Sequence, residues 1–140
     1  MKTLYTAEAL ATGGGRDGHV TSIDNRVDLD LAIPQSMGGS GAGANPEQLF
    51  AAGYAACFHS ALQMVARERQ IDVDGSSVGA QVHLGGLESG GFGLAVTLEV
   101  TLPDVEATVA SELAEAAHQV CPYSNATRGN IEVELRVSDD

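Results

Sequence analysis

The sequence predicts an α+β fold, mainly antiparallel β-sheet packed on two helices per chain, the longer helix carrying Cys57. Three observations lead there. Residues 45–70 and 104–121 carry helical patterns, the first apolar on nearly every face and the second on one stripe. The other apolar segments alternate with polar residues, whereas parallel sheets covered on both faces read as continuous apolar runs. Strands come in a group before the first helix, as a pair between the helices, and singly at the end. The 140 residues suit one domain, 1–140, rather than two.

Taken in order, residues 2–11 form a modest strand candidate, followed by a glycine-rich hairpin loop, 13–18, that carries one cation, Arg16. The loop literally fits G-x-G-x-x-G. That fingerprint needs a helix directly after it, and the segment from His19 to Asp24 reads as a strand. Asp24-Asn25 are turn residues, and Val27, Leu29 and Leu31 alternate with Asp28 and Asp30. Residues 35–44 are small and polar and form a crossover loop. A second degenerate glycine match there precedes a helix, but Glu47 in the first turn would repel phosphate.

Asn45 is a good N-cap, Pro46 suits the first helical position, and Gln48 completes a capping-box pattern. The helix body runs from Leu49 to Val65 with few polar interruptions, so it is buried in a core or an oligomer core rather than in a membrane. One sheet face would not cover all of it. The expectation is an obligate, interlocked homodimer. Residues 72–75 form a turn, residues 78–84 and 94–102 pair as an antiparallel hairpin, and Asp104 caps the second helix. Val105, Val109, Leu113, Ala116, Ala117 and Val120 make its apolar stripe. Cys121 lies at its end, Pro122 limits its extension, residues 123–129 read as loop, and 131–137 as the last strand.

Composition narrows the function. A net charge of −12 argues against nucleic acid or an anionic membrane as partner. It favours a neutral or apolar substrate. The N-terminal residues have no long apolar run of secretory type, so a cytoplasmic location is expected, where structural disulfides are rare. The two cysteines, Cys57 and Cys121, are then free, redox-active or metal-binding.

Four chemistries compete for them. In thiol redox catalysis, a cysteine on a buried helix is inert unless its thiolate is stabilised. Arg16 sits on a loop able to reach in, and Glu47 is a candidate partner for its charge. Glu47 precedes Cys57 by nearly three turns, so Arg16 would have to bridge the gap. In a zinc site, His118 and Cys121 share a helix face and Cys57 joins them, but no fourth ligand is evident. The third option is an apolar-ligand carrier without turnover. The fourth is a Cys–His nucleophile. Cys57 and His59, two apart on a helix, point to opposite sides, and no oxyanion-hole motif accompanies His118 and Cys121.

The segment Asn45-Pro46-Glu47-Gln48-Leu49-Phe50-Ala51-Ala52-Gly53-Tyr54-Ala55-Ala56-Cys57-Phe58 resembles the signature of the Ohr/OsmC family. The run from Val120 through Cys121-Pro122-Tyr123-Ser124 to Asn130 resembles its second-cysteine motif. Thr12 to Gly18 is similar to the arginine loop of the organic hydroperoxide resistance branch, with one glycine more. The likeness spans Tyr5 to Val137. It implies an intertwined homodimer with two interfacial active sites, a thiol peroxidase needing no cofactor or metal. By that resemblance Cys57 is peroxidatic, Cys121 resolving, and Arg16 and Glu47 activate the thiolate and orient the peroxide. It further implies organic, fatty-acid-type hydroperoxides as substrates, and dihydrolipoamide or the dihydrolipoyl group of a lipoylated protein as reductant. Phe50, Phe58, Met64 and Tyr123 are candidate liners of an apolar substrate pocket. A redox sensor or apolar-ligand module of the same fold is the alternative.

Overall fold

The computed structural model describes all residues, 1–140, which divide into two compact units, 1–49 and 50–140. Within the first, β1 (Ala9–Thr12), β2 (His19–Ser22) and β3 (Asp28–Asp30) form an antiparallel sheet in that order. Ala9 pairs with Ser22 and His19 with both Thr12 and Asp30. The first strand is shorter than the apolar pattern suggests, because residues 2–8 have no strand beside them. The β1–β2 connection is a 3-10 turn, Gly15–Asp17. Gly15 holds φ +65°, which a side chain disfavours, and a Cβ at Gly18 would run into the Thr12 carbonyl oxygen. Of residues 1–49 only Ala32 and Asn45 are buried.

Helix α1 (Pro46–Glu68) begins at the end of this unit and continues through the second. Its start is a closed capping box. The Gln48 N–H donates to Asn45 Oδ1 at 2.9 Å, and the Asn45 N–H donates to Gln48 Oε1 at 3.1 Å. Its end is a left-handed cap at Gln70 (φ +56°), with the Ile71 N–H donating to the Ala66 carbonyl.

Within residues 50–140, β4 (Ser77–Gly86) and β5 (Phe92–Thr101) pair antiparallel over their full length. Strand β6 (Val133–Ser138) joins β5 in parallel, Val96 opposite Val133. A parallel neighbour requires a crossover, and α2 (Ala107–Val120) and α3 (Pro122–Thr127) supply it. Val96, Leu98 and Val100 of β5 face Tyr54, Phe58, Leu62 and Val65 of α1 and Leu113 and Ala117 of α2 in one core cluster. The outward α1 positions Ala52, Ala56 and Met64 are uncovered in the single chain.

Three local expectations need correction. The α2 cap is Glu106, whose carboxylate accepts from the Thr108 and Val109 N–H groups at 3.1 and 3.2 Å. Asp104 instead occupies a left-handed turn position (φ +62°). Val120 is exposed, because the buried stripe follows Ala110, Leu113, Ala114 and Ala117. The segment read as loop after Pro122 is largely helix α3. Proline at its first position presets φ for a helical turn, a use of proline as a starter rather than only a stop. Proline also disfavours helical backbone in the residue before it, so Cys121 is extended (φ −62°, ψ 123°) and forms the corner between α2 and α3.

Candidate active site: a contacting cysteine pair

Residues 50–140 bring the two cysteines together. Cys57 lies three residues after Tyr54 on α1, half-buried, and Cys121 sits fully buried at the α2–α3 corner. Both are free thiols, their sulfurs 3.6 Å apart, with the Cys121 S–H directed at Cys57 Sγ. A disulfide requires about 2.05 Å, so the two sulfurs must approach by about 1.5 Å to bond.

Burial raises the Cys57 thiol above its ordinary value. The Tyr123 backbone N–H, bonded to its sulfur, opposes that shift, and the neighbouring Cys121 adds to it. Within this unit the sulfur has proximity to its partner but no cation to activate it.

An aromatic cluster flanks the pair. Phe50, Tyr54 and Tyr123 have ring centroids 5.7–6.0 Å apart. Gly53, one turn before Cys57, makes room for this. A Cβ there would lie 2.9 Å from the Tyr123 hydroxyl. Phe50 and Tyr123 also line an apolar cleft of about 820 Å³, together with Leu87, Phe92, Leu94 and Ile131. Of the four candidate liners these two share the cleft. Phe58 is fully buried in the core, and Met64 is 42% exposed and outside the cleft.

Behind the cysteines lies a polar chain that sequence patterning did not single out. His118 Nδ1 is 2.8 Å from Ser124 Oγ, Ser124 Oγ is 2.9 Å from the Tyr54 hydroxyl, and that hydroxyl is 3.0 Å from Thr127 Oγ1. The one available signal was Tyr54 itself, since a buried tyrosine needs a hydrogen-bond partner. His118 thus engages Ser124, and no three of the His, Cys, Asp and Glu side chains group as metal ligands. His59 turns to Ser76, at 3.0 Å.

Within residues 1–49 the other two candidates meet each other. Arg16 Nη1 and Nη2 donate to Glu47 Oε2 and Oε1, both at 2.7 Å, a two-pronged charge-assisted contact. Arg16 holds the Glu47 carboxyl below the usual carboxylate range, and Glu47 raises Arg16. The loop bearing Arg16 is anchored on both sides. Asp17 accepts from the Ile33 N–H at 3.0 Å, and both ring nitrogens of His19 contact carboxylates, Asp30 at 2.7 Å and Asp28 at 2.5 Å. Carboxylates accept only, so His19 is an imidazolium there, its affinity for the proton raised by Asp30 and Asp28.

Two reduced cysteines in contact, one half-buried and one fully buried beneath it, make a dithiol centre able to cycle through a disulfide. Comparison with known proteins identifies the family. The family model described as OsmC-like protein matches residues 38–136. The organic hydroperoxide resistance protein of Xanthomonas axonopodis pv. citri is 48% identical over 139 residues, covering 98% of this chain and 96% of that one. The organic hydroperoxide resistance protein OhrB of Bacillus subtilis is 50% identical over 135 residues, 96% and 98% of the two chains. Among solved structures, an organic hydroperoxide resistance protein from Elizabethkingia anophelis superposes with a TM-score of 0.95 at 52% identity, covering both chains fully. The chain belongs to the OsmC-like family, in its organic hydroperoxide resistance branch.

Proposed function

We propose that this chain is a cysteine-based peroxidase that confers resistance to organic hydroperoxides by reducing them to alcohols. The observation that carries the reading is the 3.6 Å contact between the Cys57 and Cys121 sulfurs. In the proposed cycle the Cys57 thiolate attacks the peroxide O–O bond. One oxygen stays on sulfur as a sulfenic acid, and the other leaves with a proton as the alcohol. Cys121 then attacks that sulfur, its thiol proton joins the departing hydroxide as water, and the disulfide forms. A dihydrolipoyl dithiol reduces it by exchange and becomes the cyclic disulfide.

A buried thiol needs an added positive charge to ionise at neutral pH. In this proposal Arg16 provides it, oriented by its two-pronged contact with Glu47. The apolar cleft at Phe50 and Tyr123 takes the alkyl or acyl chain of the peroxide. The working form is a homodimer, with residues 1–140 acting as one Ohr/OsmC-like domain in the cytoplasm. Support for the dimer comes from apolar surface that one chain leaves open, including Leu4, Tyr5, Ile23, Phe92 and Met64.

The raised Cys57 thiol favours a second reading, a redox-sensing or ligand-binding module that reacts once without turnover. Steady-state consumption of cumene hydroperoxide, driven by dihydrolipoamide in one arm and by thioredoxin in the other, separates the two. Sustained turnover with dihydrolipoamide, abolished in Cys57→Ser, is the expected result. Turnover retained in Cys57→Ser removes the mechanism, and one equivalent consumed without recycling favours the sensor.

A further inference from the structure

The buried polar chain behind the cysteines is continuous. His118 Nδ1 lies 2.8 Å from Ser124 Oγ, which lies 2.9 Å from the Tyr54 hydroxyl. That hydroxyl lies 3.0 Å from Thr127 Oγ1, and Thr127 Oγ1 lies 3.2 Å from the Ser124 carbonyl, which can only accept. Hydrogen bonds thus run unbroken from His118 through Ser124 and Tyr54 to Thr127. No buried side-chain nitrogen or oxygen of the chain lacks a partner.

The placement of these groups ties them to the thiols. His118 precedes Cys121 by three residues and Ser124 follows it by three, so they grip both sides of the extended corner on which Cys121 sits. Tyr54 precedes Cys57 by three residues on α1. The backbone ties this corner to both helices, the Cys121 N–H donating to the Ala117 carbonyl and the Asn125 N–H to the Cys121 carbonyl, both at 2.9 Å, and the side-chain run braces it from within the core. A further clamp, Arg128 Nη1 donating to the His118 carbonyl at 2.9 Å, closes the far end of α3 on the end of α2.

We infer that Tyr54, Ser124 and His118 are positioning residues that hold Cys121 against Cys57, setting the rate at which the second thiol captures the oxidised first one. The inference rests on the dithiol reading above but concerns the second step alone. Cys121 attacks Cys57, a sulfur–sulfur bond forms, and the group on Cys57 leaves. Oxidation of Cys57 by peroxide does not depend on the chain. A bland alternative is that these groups are only satisfied buried polar atoms. It predicts lowered stability without a selective effect on one step.

The test separates the steps in the full-length protein. Tyr54→Phe and Ser124→Ala each remove two links, and His118→Ala removes the first member of the run. His118→Asn keeps a hydrogen-bonding amide near the Nδ1 position. Single-turnover reaction with cumene hydroperoxide gives the first step, and mass-spectrometric disulfide formation gives the second. The second step is also entered without peroxide, by forming the mixed disulfide of Cys57 with thionitrobenzoate and following the release of thionitrobenzoate as Cys121 attacks. Expected is a slowing of disulfide closure by about tenfold or more in Tyr54→Phe and His118→Ala, with the first oxidation within about twofold of the parent and closure largely restored in His118→Asn. Closure at the parental rate in Tyr54→Phe and His118→Ala overturns the inference. So does equal slowing of both steps, and so does failure of His118→Asn to recover. If Ser124→Ala does not fold, the other variants carry the test. A parent that ignores peroxide but closes its mixed disulfide rapidly refutes the peroxidase reading and leaves the positioning claim measurable.

Discussion

Replacing Arg16 with Ala and Glu47 with Gln, singly and together, tests whether the charge pair acts as a unit on Cys57. Two opposite charges about 4 Å apart attract by about 4 kcal/mol at an effective dielectric of 20. The gross figure overstates the pair. The Arg16 side chain is 40% exposed, so solvent screens it, while that of Glu47 is only 17% exposed and has lost much of its hydration. Between the small value of exposed pairs and the several kcal/mol of buried ones, about 1–2 kcal/mol is reasonable. If that energy orients Arg16 for the reaction, Glu47→Gln slows the first oxidation of Cys57 by about 5–30-fold, and Arg16→Ala, which removes the charge itself, slows it by well over about tenfold. Stopped-flow oxidation by cumene hydroperoxide reads this rate directly. Because Glu47 acts through Arg16, the double variant should be no slower than the slower single one, a coupling of about 1 kcal/mol or more. Parental rates in both single variants, or effects that simply multiply in the double one, would refute the assignment.

Cys121→Ser should consume one peroxide per Cys57 and then stall with dihydrolipoamide present; continued turnover would show that another thiol resolves the intermediate. Gly53→Ala gains about 0.5–1 kcal/mol of helix preference but displaces the Tyr123 ring. Its melting temperature should therefore hold or rise while turnover of cumene hydroperoxide falls severalfold, and unchanged turnover would separate that ring from the site. Phe58→Ala should cost about 3–5 kcal/mol in urea denaturation, since the ring is wholly in the core; a loss below about 1 kcal/mol would return Phe58 to a lining role. His19 has a raised proton affinity in the folded state, so its contribution is complete below its unfolded value of about 6.5 and is lost as pH rises through the higher folded value. Amide exchange in residues 19–30, corrected for its intrinsic rise with pH, should lose protection as pH rises above about 6.5 in the parent and show no such step in His19→Gln. Glu47 has the opposite sign. Its pair with Arg16 persists at neutral pH and is lost only in acid, below the ordinary carboxylate value of about 4.3, as pH falls through the lowered folded value.

Much of the fold was legible because local chemistry and tertiary structure agree. Asn45, Pro46 and Gln48 announce the start of α1 by the hydrogen bonds they form. The alternation in residues 94–102 survives in part: Val96, Leu98 and Val100 are buried and Glu99 is exposed, but Thr97 is buried as well. What stayed hidden depends on neighbours that period alone does not name. The parallel pairing of β6 with β5 follows from the crossover, and an alternating strand looks the same in either direction. Helix α3 is hidden because a proline ends one helix and starts the next equally well, and Pro122 does both. At the site, the cysteines and the Arg16–Glu47 partnership were suggested by chemistry and by family likeness. Ser124 and Thr127 were not, because a short hydroxyl residue gives no sign of burial until a tyrosine from another helix is found against it.

In the proposed mechanism the sulfur pair and the charge pair answer different physical requirements. Contact at 3.6 Å inside a buried corner favours rapid disulfide closure, since the reacting atoms need almost no search. The same burial opposes ionisation of Cys57, and the bond from Tyr123 only partly offsets it. In that mechanism proximity comes from the buried corner and reactivity from the charge pair. A site that gained its thiolate by exposing Cys57 to water would lose the dry surroundings suited to an alkyl peroxide. A cation brought to a buried sulfur keeps both, provided that the cation has its own counter-charge when desolvated. Glu47 supplies that counter-charge to Arg16 with both carboxylate oxygens. On this division of labour, variants of the charge pair should change the first oxidation and leave closure alone. Variants of the Tyr54–Ser124–His118 chain should do the reverse.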